Sequence, residues 1–423
     1  MTLSTAYRSL LPAIAILALV SVGPAASPVQ AREGVAAAPS AERARMNQQV
    51  FDRIWNEVRR DYYDPRLHGV DWRAARATYR PQALAASDDR QLYEVLGRML
   101  DLLDDDHAGA LPPAGVARTD LYASRAVMGV TIARERADGG HVYRIERVRE
   151  GSPAAVAGVQ LGWRVDAING RPWGADVRIQ DGEPVRLDLT DEEGGAHIVD
   201  LTPRVMPPPP LFVADRTRPG VVVLRIAAFE RGLGDWLGEQ LAQTPAGTDV
   251  VLDLRGNPGG LLMEADAVLS CFLPRHREWA TRTGRSGRAV VLRTVAGCGV
   301  LEGPVDHEVA VLVDRTSRSA AELTPAALQE AGRAVVLGER TAGAVLISQD
   351  TPLPDGGRLT LSRADFVTRG GVRLEKRGVL PDLEVAATWA DRREGRDPAL
   401  DLALRTLAAE RSERASTAAA RGL

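Results

Sequence analysis

Val309-Ala-Val-Leu-Val-Asp-Arg-Thr-Ser-Arg-Ser-Ala-Ala-Glu322, continued by Leu323-Thr-Pro-Ala-Ala-Leu-Gln329, contains two periodicities joined by a short polar turn. The apolar, β-branched run Val309–Val313 predicts a buried strand, and the turn after it predicts a helix beginning near Ser319. Ser319-Ala-Ala-Glu322 has the pattern of a capping box, in which the hydroxyl satisfies the Glu322 amide and the Glu322 carboxylate reaches back. Caps are far commoner than nucleophiles, so this is the plainer reading. A strand-turn-helix can equally hold a serine at the mouth of a pocket, and the neighbouring segments decide between the two.

Around this stretch, residues 212–388 alternate strands and helices. Val221–Ile226 precedes a helix near residues 233–243, then a strand at 249–254, a helix near 261–272, strands near Ala289 and Val309, the Ser319 helix, and a strand at 334–338. Such alternation implies an α/β layer with a largely buried sheet. The strand at 249–254 ends in Arg255-Gly-Asn-Pro-Gly-Gly260. Paired glycines at a helix N-terminus leave N–H groups unobstructed at the positive end of the dipole, which makes an anion site. No Gly-Lys-Ser/Thr follows to make a phosphate loop, so an oxyanion is the better fit if a nucleophile lies nearby. Residues 389–423 are charged and alanine-rich and read as a peripheral C-terminal helical tail with a frayed end.

At the other end, Arg8, an apolar run from Leu10 to Val22 and small residues through Val29-Gln-Ala31 have the anatomy of a secretory signal peptide cleaved after Ala31. The run is too short to span a bilayer, and no cysteine follows it to carry a lipid. The mature chain is expected to be exported to the periplasm or beyond, without stable membrane insertion. Among 423 residues, 53 basic and 56 acidic side chains give a formal net charge of −3, with no basic block to mark a nucleic-acid partner. Lys376 is the only lysine. Cys271 and Cys298 do not have metal-motif spacing, and either a disulfide or two buried thiols satisfies the sequence.

Residues 42–113 carry apolar positions at three- and four-residue intervals, including Val50, Ile54, Val58, Leu92, Leu96 and Met99, and predict an N-terminal helical domain. The domain ends in Asp104-Asp-Asp-His107, then Gly109 and two prolines. A histidine among aspartates is ordinarily a solvated helix end. The same carboxylates would raise its basicity, which suits a proton acceptor. Residues 125–204 change to short β runs punctuated by glycine, with Glu150-Gly-Ser-Pro-Ala-Ala-Val-Ala-Gly158 and Leu161-Gly-Trp-Arg-Val-Asp-Ala-Ile-Asn-Gly170 between them. This segment resembles a PDZ domain. The resemblance implies a peptide added as an extra strand, its terminal carboxylate held by the loop around Met128, Gly129 and Val130. A rigid spacer that binds nothing is the alternative. Residues 205–211, with four consecutive prolines, form a stiff linker.

Five segments in order, residues 253–260, 311–322, 332–344, 353–361 and Gly378-Val-Leu-Pro-Asp382, resemble the tail-specific (C-terminal processing) protease and tricorn-core family of serine peptidases. The likeness extends over nearly all of the mature chain and implies a crotonase/ClpP-like α/β protease core, an N-terminal helical domain and an inserted PDZ-like domain. It implies Ser319 as nucleophile, with an oxyanion hole of amides from Gly259 or Gly260 and from Ala320. One branch of the family activates its serine with a lysine following the glycine of its "GERTxGK" motif, but Ala344 stands at that position here. Only Lys376 could substitute. The tricorn-like branch uses a histidine from the helical region and a glutamate before the "GVxPD" motif, and these match His107 and Glu375. Tricorn's histidine follows a serine, whereas His107 follows Asp106, so the resemblance leaves the helper role of that position open while keeping the base. The resulting expectation is a serine endopeptidase acting on polypeptide tails or unfolded segments without cofactor or metal. The missing lysine and Pro325 inside the serine helix support the competing expectation, a non-catalytic peptide-binding scaffold.

Overall fold

Val309–Val313 is buried at every position, as its unbroken apolar run requires, because helices cover both faces of the sheet that contains it. The computed structural model describes residues 38–117, 121–137, 140–172, 179–295 and 297–421. The chain divides between Ala38 and Pro39, and the fold described below is that of Pro39–Leu423. The signal-peptide segment and its expected cleavage site after Ala31 lie outside the described residues.

The central sheet runs in the order Phe212–Asp215, Val221–Ile226, Asp249–Asp253, Val309–Val313, Val335–Gly338, Leu383–Glu384. The first pair is antiparallel and every later pair parallel. Alternate residues face opposite sides. Val250, Leu252, Val309 and Val311 pack under the helices Leu233–Ala242, Leu262–Phe272 and Ala320–Glu330. Val251, Ala310, Leu312 and Leu337 pack under the C-terminal helix Pro398–Arg421 through Leu400, Ala403 and Leu407. The tail helix is therefore no peripheral appendage, since it closes the second face of a sheet whose strands are apolar on both sides. Cys271 and Cys298 are joined in a disulfide with a Cα–Cα separation of 5.1 Å, which ties the end of Leu262–Phe272 to the segment after the strand Ala289–Arg293.

A second sheet, less evident from the sequence, brings the N-terminal region to the core. Its long strand Arg358–Thr368 pairs antiparallel with Glu278–Gly284, with Ile347–Pro352 and with the short strand Gly109–Leu111. That last pairing begins two residues after His107. The helices Ala41–Asp61, Trp72–Ala85 and Asp89–Leu100 share one core with Leu346, Leu353, Leu359 and Leu361 of this sheet. The helical region is thus built onto the α/β core and not held apart from it. Arg363 strengthens the joint by reaching Glu57 at 3.1 Å and Asp61 at 3.2 Å, and Arg285 donates to the Tyr62 carbonyl at 2.8 Å. Glu57 is almost fully buried, so its arginine partners are needed to offset the cost of desolvating its charge.

In chain order, a small β unit follows the N-terminal region and precedes the central sheet. Its strands run in the order Val130–Ala137, Gly140–Val148, Arg164–Ile168, Val185–Thr190, Ala196–Leu201, around a core that includes Met128, Ile145, Val165 and Leu187. A one-turn helix, Pro153–Val156, is capped by Ser152, whose hydroxyl accepts from the Ala155 N–H. The strands Arg125–Val127 and Arg204–Met206 pair as a stem where the chain enters and leaves the unit.

Candidate active site

Ser319 sits at the start of Ala320–Glu330 with φ 54° and ψ −118°, a backbone conformation that a non-glycine residue adopts only when its surroundings hold it there. The preceding turn is fixed by Asp314, whose Oδ1 accepts from the N–H groups of Thr316 at 2.9 Å, Ser317 at 3.0 Å and Gly256 at 3.1 Å. The Gly256 bond ties the serine turn to the glycine loop, as do Ser317 Oγ donating to the Leu254 carbonyl and Arg318 N–H donating to the Asn257 carbonyl. On the other side, Ser319 N–H donates to the Ala344 carbonyl at 2.8 Å.

Glu322 does more than complete a cap. Fully buried, its carboxylate accepts from the N–H groups of Ser319 at 3.1 Å, Gly343 at 2.7 Å and Ala344 at 2.9 Å, and from the Thr341 hydroxyl. Burial raises its pKa and these donors oppose the rise. Its own N–H donates to the Ser319 carbonyl at 2.8 Å. The capping pattern and the reactive-serine pattern therefore coexist, with the cap helping to hold the strained serine.

Gly259 packs directly on Ser319. A Cβ there would lie 2.6 Å from the Ser319 Cβ and 2.8 Å from the Arg318 carbonyl oxygen, at φ +93°, so only glycine fits. Its N–H donates to Asn257 Oδ1 at 2.8 Å, which removes Gly259 from the expected oxyanion donors and makes it a spacer. The N–H groups of Gly260 and Ala320 have no protein acceptor among the described residues. The Gly260 backbone is held by its flanks, with Phe229 N–H donating to the Gly259 carbonyl and Leu261 N–H to the Phe229 carbonyl.

His107 lies in the turn after the one-turn 3₁₀ helix Asp101–Leu103, where Asp104 takes a left-handed conformation and Asp105 Oδ1 accepts from the His107 N–H at 2.8 Å. Three bonds draw this turn toward the serine. Arg318 Nη2 donates to the Asp106 carbonyl at 3.3 Å, Lys376 Nζ pairs with Asp106 at 2.9 Å, and Lys376 N–H donates to the Gly343 carbonyl at 2.7 Å. The immediate neighbours of Ser319 and His107 are thus bonded to one another. Burial lowers the pKa of the imidazole, Asp105 opposes that, and Arg318 adds to it. Glu375 is also buried. Its Oε2 accepts from the Val345 N–H at 2.9 Å, and burial raises its pKa, with Asp105 adding to the rise.

The position that carries a lysine in one branch of the resembled family is filled by Ala344, itself buried. Burial lowers the pKa of Lys376, but Asp106 and Asp104, which both pair with its ammonium group, together outweigh that and raise it. Among the other histidines, His68 is bonded to Tyr63 and the Leu103 carbonyl, and His197 stacks on Trp163 beside Asp191. Met128, Gly129 and Val130 are in the inserted β unit, with the Met128 carbonyl accepting from Ala154 and the Gly129 carbonyl from Arg149. A cavity of about 660 Å³ opens beside Arg147, Arg255 and Asp397, and neither Ser319 nor His107 lines it.

A serine held in a strained turn at a helix N-terminus, packed on glycine and flanked by uncommitted N–H groups, has the arrangement that a nucleophile with an oxyanion site requires. Residues 220–385 match peptidase family S41, and residues 43–101 match the tricorn protease C1 domain. By these two matches the chain is a serine peptidase that resembles the tail-specific protease and tricorn-core family. It is similar to a carboxyl-terminal-processing protease of Picosynechococcus sp., with 26% identity over 79% of this chain and 82% of that one. To the carboxy-terminal processing protease CtpA of Bacillus subtilis it is 24% identical over 70% of this chain and 64% of that one. The photosystem II D1 C-terminal processing protease has a similar fold, with a TM-score of 0.60, 23% identity, and coverage of 80% of this chain and 93% of that one. So does the tricorn protease, with a TM-score of 0.53, 17% identity, and coverage of 87% of this chain and 37% of that one.

Proposed function

We propose that this serine peptidase cleaves polypeptides through an acyl-enzyme formed on Ser319, with His107 as general base. The Ser319 oxygen attacks the scissile carbonyl carbon while its proton passes to the imidazole. The carbonyl oxygen, now negative, is met by the N–H groups of Gly260 and Ala320. As the C–N bond breaks, His107 returns the proton to the departing amine. Water then adds to the ester by the same route in reverse, releasing the acid and restoring the serine. Glu375 orients the imidazole from the far side.

The observation that carries this reading is the uncommitted pair of N–H groups beside a serine held at positive φ. The exclusion of Lys376 by its two aspartates favours histidine over lysine as the base. Residues 125–204 are proposed to recruit polypeptide tails by strand addition near Met128, Gly129 and Val130, in keeping with the names of the processing-protease relatives. Export is proposed from the leader at residues 1–31. No helix among the described residues is long and apolar enough to cross a membrane. Replacing Ser319 with Ala is expected to abolish casein cleavage and fluorophosphonate labelling while leaving the thermal melt in place. A fully active S319A, or a folded wild-type chain that takes no label, would return the non-catalytic scaffold as the better reading.

A further inference from the structure

The three aspartates before His107 do not share one environment. Asp104 and Asp106 are turned outward, with side chains 87% and 54% exposed, and both grip Lys376. Asp105 is buried and points the other way. Its Oδ1 serves the backbone by accepting from the His107 N–H at 2.8 Å, and its carbonyl accepts from the Ala108 N–H at 3.1 Å. The other carboxylate oxygen, Oδ2, is buried with no protein partner. Tyr62 Oη, His107 Nδ1 and Glu375 Oε1 are likewise buried without a protein partner. The charge on Asp105 acts on all three of these groups and on Tyr63. Asp105 Oδ2 and His107 Nδ1 stand two residues apart in one turn that the Asp105 Oδ1 bond to the His107 N–H already closes, and both keep capacity for a further bond.

The geometry points to Asp105 as a positioning residue for His107, with its free oxygen accepting a hydrogen bond from Nδ1–H of the imidazolium and Tyr62 donating to the carboxylate in that state. This rests on the peptidase mechanism proposed above and adds a second carboxylate to it. When Ser319 gives up its proton, the charge appears on a ring that burial makes hard to protonate. A buried anion on the same turn offsets that cost, because two opposite charges in a low-dielectric pocket attract far more strongly than in water. Glu375 is less suited to do this alone, since it is itself buried and resists ionisation beside a second carboxylate. The other groups facing the ring divide in sign: Arg318 and Lys376 disfavour the imidazolium, and Asp106 favours it.

The test is Asp105→Asn in the full chain. Asparagine keeps an oxygen for the His107 N–H, so the turn survives while the charge is lost. With KM nearly unchanged, kcat is expected to fall about 10- to 100-fold, the range for a hydrogen bond to a charged group. The acid limb of kcat/KM should move to lower pH, because the ring loses a stabilising anion. Tyr62→Phe should move the same limb to higher pH, because an Asp105 without its phenol attracts the imidazolium more strongly. A folded D105N with wild-type kcat and an unmoved acid limb overturns the inference. If D105N fails to fold, an unmoved limb in Y62F does so. Fluorophosphonate labelling of the wild type separates the two levels: no labelling sinks the mechanism, whereas labelling with an unchanged D105N profile sinks only the role of Asp105.

Discussion

The two halves of the active site are built on opposite principles. On the serine side, polar groups close on each other: Asp314 and Glu322 each collect several donors, and Asn257 spans from the Ile226 carbonyl to the Gly259 N–H. The donors left over, Gly260 N–H and Ala320 N–H, are the two the proposed chemistry needs. On the histidine side, His107, Asp105, Glu375 and Tyr62 each keep a buried polar atom without a partner. A saturated network fixes a geometry before substrate arrives, while an unsaturated one retains capacity to respond to a proton. In the proposed mechanism this sets a fixed frame for nucleophile and oxyanion beside a base whose neighbours keep bonding capacity in reserve.

The largest expected effect falls on the responsive half. His107→Ala should lower kcat on casein by about 10²- to 10⁴-fold, the usual contribution of a general base, with little change in the melting temperature. If H107A retains more than a tenth of wild-type turnover, the histidine half is structural and the comparison fails. The rigid half is probed by Gly259→Ala. The added methyl would sit 2.6 Å from the Ser319 Cβ at a φ that disfavours any side chain. A loss of about 1–3 kcal/mol in urea unfolding is expected, together with loss of fluorophosphonate labelling. Unchanged labelling would mean that the serine turn is less fixed than its bonds imply.

Glu375→Gln sharpens the contrast through pH. The folded protein holds the Glu375 proton to higher pH than the unfolded chain does, chiefly because of burial. The sign follows from linkage: the contribution of Glu375 to stability is complete below its unfolded pKa and declines as pH rises through the folded one. The amide cannot ionise, and it can still accept from the Val345 N–H. E375Q should therefore melt higher than wild type at neutral pH, with the difference vanishing in acid, while losing activity. A variant that melts lower at neutral pH would show that the carboxylate is stabilised in place.

The serine half was legible in the sequence because it is local. Strand, turn, nucleophile, capping glutamate and paired glycines lie in two short segments with recognisable periodicity. What the sequence left ambiguous there was the division of labour, since Gly259 and Gly260 look alike and only the Asn257 side chain distinguishes them. The histidine half was legible only through family resemblance. Its groups come from residues 62, 105, 107 and 375, brought together by the pairing of Gly109–Leu111 with Arg358–Thr368, and no local pattern encodes a pairing across that separation. Asp105 was concealed for a further reason. In a run of three aspartates, nothing but the turn decides which carboxylate faces inward.

Lys376→Ala should have the smallest effect and bears most directly on which residue is the base. The ammonium is 41% exposed and paired with two carboxylates that are more exposed still. Surface pairs of this kind contribute about 0–1 kcal/mol, and the pairing is screened by salt. The link does help hold the His107 turn against the segment carrying Glu375, so a fall in kcat of less than about 10-fold is expected, no larger than the worth of the pair. That fall should narrow in wild type against K376A as salt is raised, because salt weakens the same contact in the native enzyme. Adding an amine to K376A should restore nothing, since no proton passes through this side chain. Loss of all turnover in K376A with H107A still active would reverse the assignment of the base. It would also require the ammonium to leave Asp104 and Asp106 and reach Ser319 past a buried Ala344, across the most tightly bonded part of the site.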